Sequence, residues 1–210
     1  MDFQAAGRTC DGWVPDDEQR SARRYTSLIR AAKLITMHGE FVCVIRDVSA
    51  SGISLRAFHD LPRDDISSIE LQNGEIFDMR QVRANGMEAS YAFRSPVAVE
   101  RLINETWNFP KRQLRLNIAV PLTVRSVLAT ARIEAITENI SQQGACIECD
   151  SKLALDQPVM LEADHLGEIR ARVRWRAGTQ YGVVFDNTFT LRDFAMLAAN
   201  VQCPLLVRPG

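Results

Sequence analysis

The sequence predicts a mainly β protein built as two small six-stranded antiparallel barrels, each followed by a C-terminal α-helix. Three observations carry this. A short pattern recurs at a nearly constant offset, the apolar runs are short and punctuated by turn residues, and each series of runs ends in one amphipathic helical stretch.

The recurrence comes first because it sets the domain count. Arg46-Asp47-Val48-Ser49-Ala50-Ser51-Gly52-Ile53 is answered by Glu138-Asn139-Ile140-Ser141-Gln142-Gln143-Gly144-Ala145, 92 positions on. The shared skeleton is Asp/Asn-x-Ser-x-x-Gly. Gly86 and Gly178 keep the same offset, as do Phe93 and Phe185, while Arg24-Tyr25 is answered by Arg115-Leu116 at 91. Four landmarks in one order point to a duplicated domain. A chain of 210 residues accommodates two domains of about 100 residues each.

The strands follow from Val-, Ile-, Leu- and Phe-rich runs. In the first copy they are predicted at 28–35, 40–48, 53–57, 68–71, 76–82 and 87–93. In the second they are predicted at 117–127, 131–139, 145–149, 159–161, 168–176 and 181–185. His38-Gly39, Asn73-Gly74 and Asn85-Gly86 supply turns, because Asn and Gly tolerate positive φ. Closure of six such strands into a barrel removes exposed edges. Ser95-Pro96 then reads as the N-cap and first turn of a helix over 97–107. Thr190 with Asp193 reads as a capping box for a helix ending at Val201. The boundaries expected are an N-terminal segment at 1–17, a first domain at 18–108, a second at 109–204 and a tail at 205–210.

Composition narrows the function classes. Apolar residues make up 46% and charged residues 24%, ordinary for a globular protein. Net charge is −1, so no global field draws the chain to nucleic acid, and an anion site has to be a local arginine cluster. The longest apolar stretches, 41–45 and 117–122, fall far short of the roughly 20 residues of a membrane helix. Residues 1–20 lack the apolar core of a signal peptide. Five cysteines, an odd and scattered set, read as reduced thiols in a cytoplasmic protein. Cys146 and Cys149 have the spacing of half a zinc site, but no second pair or histidine completes it. On a strand they face opposite sides, as small buried residues would. His38, His59 and His165 are scattered, and no triad, Walker loop or dinucleotide fingerprint is present, so no catalytic residue, metal or cofactor is expected.

The candidate chemistry lies in two elements. Asp47-x-Ser49-x-x-Gly52 sits where one strand gives way to the next. Its carboxylate and hydroxyl bond local amides or a ligand's N–H donors, and its glycine permits a turn or a close approach. Upstream stand Arg20 and Arg24, whose planar donor forks suit phosphate and the O6/N7 edge of guanine. Asp16-Asp17-Glu18 lies beside them and is expected to pair with these arginines until a ligand displaces it.

These elements together resemble the PilZ domain family, in which RxxxR precedes a six-stranded barrel carrying Asp/Asn-x-Ser-x-x-Gly. Arg20-Ser-Ala-Arg-Arg24 lies 23 residues before Asp47, and Lys111-Arg-Gln-Leu-Arg115 ends 24 before Asn139. The closing segment 173–185 is also similar to the family's last hairpin, and the resemblance spans about 18–202. It implies a receptor for cyclic di-GMP, the arginines gripping phosphates and guanine edges and the second motif holding a guanine. The first copy matches at Arg20, Arg24, Asp47, Ser49 and Gly52, and is expected to be the chief site. The second set is Lys111, Arg112, Arg115, Asn139, Ser141 and Gly144. There lysine supplies charge without the bidentate fork, so this site is expected to be weaker. Binding would then be relayed as a conformational change to a partner protein. The rival reading is a tandem barrel that binds no ligand and serves as a structural interaction module.

Overall fold

In the computed structural model, the described residues are 25–103, 113–126, 132–164 and 167–207. The first barrel comprises β1 (Tyr25–Thr36), β2 (Gly39–Val48), β3 (Gly52–Arg56), β4 (Ser67–Glu70), β5 (Ile76–Asn85) and β6 (Glu88–Phe93). They close antiparallel in the order β1-β2-β3-β6-β5-β4. Alternate residues point inward, so Leu55, Ile69, Met79, Tyr91 and Phe93 share one buried core. At the tips of two hairpins only the glycines, Gly74 (φ 88°) and Gly86 (φ 59°), adopt positive φ. The preceding asparagines do not, so the turns differ from the two-residue form that needs both.

The second barrel comprises β7 (Arg115–Leu116), β8 (Pro121–Ser126), β9 (Arg132–Ser141), β10 (Gly144–Glu148), β11 (Pro158–Ala163), β12 (Gly167–Ala177) and β13 (Gln180–Phe185). Six of these close in the order β10-β13-β12-β11-β8-β9, and β7 adds a short strand to β9. The strand expected over 117–127 is broken at its start. Ile118 N–H bonds the Leu116 carbonyl, and the Thr137 hydroxyl accepts from Val120 N–H at 2.8 Å. Pro121, with no N–H to give, then stands first in β8, where a strand tolerates it.

The barrels repeat each other beyond the motif. Phe93 N–H bonds Ser51 O as Phe185 N–H bonds Gln143 O; Val97 N–H bonds Ala50 O as Phe189 N–H bonds Gln142 O. Every member of these pairs is 92 positions from its counterpart. The register shifts that kink β2 at Arg46 and β9 at Glu138 are also 92 apart. The same bond explains a correction to the first helix. Tying Val97 to the β2–β3 corner delays α1, which runs Val99–Ile103 among the described residues instead of starting at 97. Arg30 donates to two of its carbonyls, Leu102 O at 3.0 Å and Ile103 O at 2.9 Å.

Helix α2 (Leu191–Gln202) starts at Thr190, whose hydroxyl accepts from Asp193 N–H at 3.1 Å. Phe194, Ala195 and Ala198 enter the second core, and Ala199 enters the first. Small side chains let one helix approach two barrels closely. On β2, Phe41 and Cys43 face the first core while Val42 belongs to the second, so three consecutive residues are buried. Gln202 fastens the contact, accepting from Glu40 N–H at 2.8 Å and donating to Glu40 O at 2.7 Å. Gly39, at φ 130°, leaves the space that this side chain occupies. The expected tail at 205–210 is partly built in: Leu206 and Val207 pack on the first core, and Leu206 O accepts from Asp60 N–H.

A substitution that overfills this junction is expected to loosen both barrels. Ala199→Leu should cost about 1–3 kcal/mol and lower amide protection in β2 and in β8–β13 together by hydrogen exchange. Loss confined to the second barrel would show that the helix does not couple them.

Candidate ligand-binding site

The two Asp/Asn-x-Ser-x-x-Gly corners are built alike, and much of their chemistry closes the turn. Ser49 Oγ accepts from Gly52 N–H at 3.1 Å, and Ser49 N–H bonds Gly52 O at 2.8 Å. Ser141 Oγ donates to Gly144 O at 3.1 Å. A Cβ on Gly52 would lie 2.6 Å from the Tyr91 carbonyl oxygen of β6, and one on Gly144 would collide with the Val183 carbonyl oxygen of β13. Both glycines are therefore required by strand approach, whatever the ligand. The kinks at Arg46 and Glu138 place Asp47 opposite Ser54 and Asn139 opposite Cys146, half-buried at the barrel surface.

Of the two corners, only the second lines a cleft of about 1210 Å³ between the barrels. Arg115, Asn139, Ser141 and Gly144 come together on one wall. Lys33, Glu70 and Gln72 of the first barrel contribute the facing wall. Asp47, Ser49 and Gly52 come together at their own corner, away from this cleft. Arg20, Arg24, Lys111, Arg112 and the acidic run at 16–18 lie outside the described residues.

Sequence reasoning missed two cleft residues, Arg174 and Trp175. Arg174 is the extra residue of a bulge in β12, the register shifting between Val173 and Trp175. A bulge re-aims side chains, and here Arg174 ion-pairs with Asp156 at 3.2 Å. Trp175 lies against Gly182 across the strand pair, in the space a Cβ would need, and remains 42% exposed. It is thus a flat apolar surface held in place beside an arginine, suited to stacking a base. The signal was the Trp-to-Gly spacing on a hairpin. At the corresponding positions of the first barrel stand Val82, Arg83 and Ser90, which supply no aromatic face.

Cys146 also lines the cleft, donating to Glu138 Oε2 at 3.2 Å. Burial, and after it the Glu138 carboxylate, pushes its thiol up to about 11, with Arg115 opposing. Cys149 is buried too. Cys43, in the first core, is pushed up to about 12 by burial alone. Among the described residues no group of three or more His, Cys, Asp or Glu is placed to hold a metal.

Two outcomes follow for this region. Between the ordinary thiol value of 9.0 and about 12 only the unfolded chain ionises at Cys43, so stability should fall as pH rises through that window. Urea unfolding at pH 8 and 10 should show the loss, reduced in Cys43→Ala. Gly144→Ala should cost about 1–3 kcal/mol of stability, read as a lowered melting temperature, even in ligand-free protein.

The PilZ domain family matches residues 110–202. No curated protein matches the chain in sequence. Among solved structures, similarity extends to the PilZ domain of CeSA from a cellulose-synthesizing bacterium, 18% identical, covering 42% of this chain and 94% of that one at a TM-score of 0.34. The PlzA protein of Borreliella burgdorferi, solved with c-di-GMP, is 11% identical over 84% of this chain and 88% of its own, TM-score 0.34. The Bacillus subtilis inhibitor of motility is 12% identical over 87% and 99%, TM-score 0.35. Likeness at these scores carries no argument about function. The match to the PilZ domain family is confined to residues 110–202, the span that holds the second barrel and α2.

Proposed function

We propose that the protein is a cyclic di-GMP receptor whose main site is the cleft-lining face of the second barrel. The observation that carries the reading is the convergence of Arg115, Asn139, Ser141 and Gly144 on a cleft of about 1210 Å³, with Arg174 and Trp175 beside them. Two guanidinium groups suit a doubly charged cyclic dinucleotide, and an exposed indole suits a purine face. Asn139 offers an amide to the base edge, and the glycine leaves the barrel surface open to close approach. Lys111 at the first position of RxxxR weakens one contact, and Arg174 offers a second guanidinium in compensation.

A second reading keeps the main site in the first copy, favoured by its unbroken Arg20/Arg24 and Asp47/Ser49/Gly52. Occupancy at either site is read by a partner protein through the junction that α2 makes with both barrels. Among the described residues no helix is long and apolar enough to cross a membrane. We read the chain as a receptor and adaptor, without catalysis of its own.

Calorimetry of the full-length chain with cyclic di-GMP separates the readings. Arg115→Ala should weaken binding about 10- to 100-fold, the usual worth of a bidentate arginine contact, and Arg24→Ala should have little effect. The reverse pattern would move the main site to the first barrel. No binding to the wild type would leave the tandem barrel as an interaction module.

A further inference from the structure

The two walls of the cleft are chemically unlike. The second barrel presents donors: the Arg115 and Arg174 guanidinium groups, which satisfy phosphate oxygens and the O6/N7 acceptors of guanine. A guanine also carries donors, N1–H and the N2 amino group, and these need acceptors. On the second barrel's wall the Ser141 hydroxyl already serves its own turn. Asn139 and Gln143 add amide oxygens to that wall, while the carboxylates that line the cleft, Glu70 and Glu75, stand on the first barrel, at the end of β4 and the turn after it.

Glu70 is the first. It stands directly across from Lys33 in the β1–β4 ladder, and Lys33 Nζ approaches its Oε2 at 2.7 Å. Lys33 is also 3.4 Å from Glu40 Oε2, and its side chain is 6% exposed. The ammonium is therefore held between two carboxylates and is not offered to a phosphate. Its effect is to hold Glu70 in place and offset part of the cost of keeping a carboxylate at the cleft wall. Gln72 is the second acceptor. It lines the same cleft, and its Oε1 is buried with no hydrogen-bond partner among the described residues. A buried acceptor left unpaired costs free energy, and turning the Gln72 amide into the cleft would let a ligand's N–H recover it.

We propose that Glu70 and Gln72 of the first barrel read the donor edge of a guanine held by the second barrel, and so set the preference for guanine over adenine. This rests on the receptor reading above. It gives the first barrel a direct part in recognition, with Lys33 as the positioning residue for Glu70. A carboxylate or amide oxygen meets N1–H and the N2 amino group favourably. Adenine presents a bare N1 acceptor there, and the same oxygens repel it.

The test titrates cyclic di-GMP and cyclic di-AMP into full-length wild type, Glu70→Gln and Gln72→Ala, with melting temperatures checking that each variant folds. Wild type should prefer the guanine ligand. Each variant should lose about tenfold or more in cyclic di-GMP affinity, with cyclic di-AMP affinity unchanged or improved, so that the ratio narrows. If wild type binds cyclic di-GMP and both folded variants keep the wild-type ratio, the proposal is overturned while the receptor reading stands. If wild type binds neither dinucleotide, the receptor reading fails and this one falls with it. An equal loss for both ligands would mark the two residues as structural supports and would also overturn it.

Discussion

Helix α2 contributes to two hydrophobic cores at once, and the arrangement of the barrels depends on that double contact. Phe194, Ala195 and Ala198 close one end of the second barrel, while Ala199 enters the first core and Cys203, Leu206 and Val207 pack against it. An alanine face permits this because each side chain adds little more than a methyl group between backbones. The opposing strand β2 answers with buried residues on both its faces, an unusual demand on a strand in an antiparallel barrel. Glu40 then ties the junction together: its backbone bonds Gln202, its carboxylate accepts from Asn117, and Lys33 lies beside it. Apolar burial holds the helix in place, and these polar contacts fix its register.

The cleft is a consequence of that docking. Once β2 and α2 are packed, the β4–β5 turn of one barrel stands over the Asn139–Gly144 corner of the other. A chain of net charge −1 thereby acquires two adjacent walls of different character, one rich in guanidinium and one in carboxylate and amide oxygens. Domain docking and the shape of the cleft become linked properties, because moving one barrel removes one of its walls.

Much of the fold was legible in the sequence because β-barrels write themselves in short-range signals. Period-two apolar runs, glycine turns and the Thr190–Asp193 cap are all local, and each was found close to its place. The misses share a different cause. Val97 was read as helical from Ser95-Pro96, but its N–H is taken by Ala50, almost fifty positions away. The strand at 117 was read through Pro121 because its apolar run is continuous, whereas Thr137 claims the backbone there. Along the cleft, Asn139, Ser141 and Gly144 had been singled out by their spacing, but Arg174 and Trp175 had not. Their placement depends on a bulge that no periodicity announces.

By itself, the sequence determined that there are two barrels, where their turns fall and which residues form the polar corners, since these follow from local pattern and from a repeated offset. Only the tertiary structure decided that the barrels share a helix, that Gly52 and Gly144 are demanded by a neighbouring strand's carbonyl, and which corner opens on a cleft. The physical reason is that a side chain's local pattern specifies its face and turn. Whether that face meets water, a ligand or another domain depends on residues distant in the chain, here α2 against β2 and β4 opposite β9.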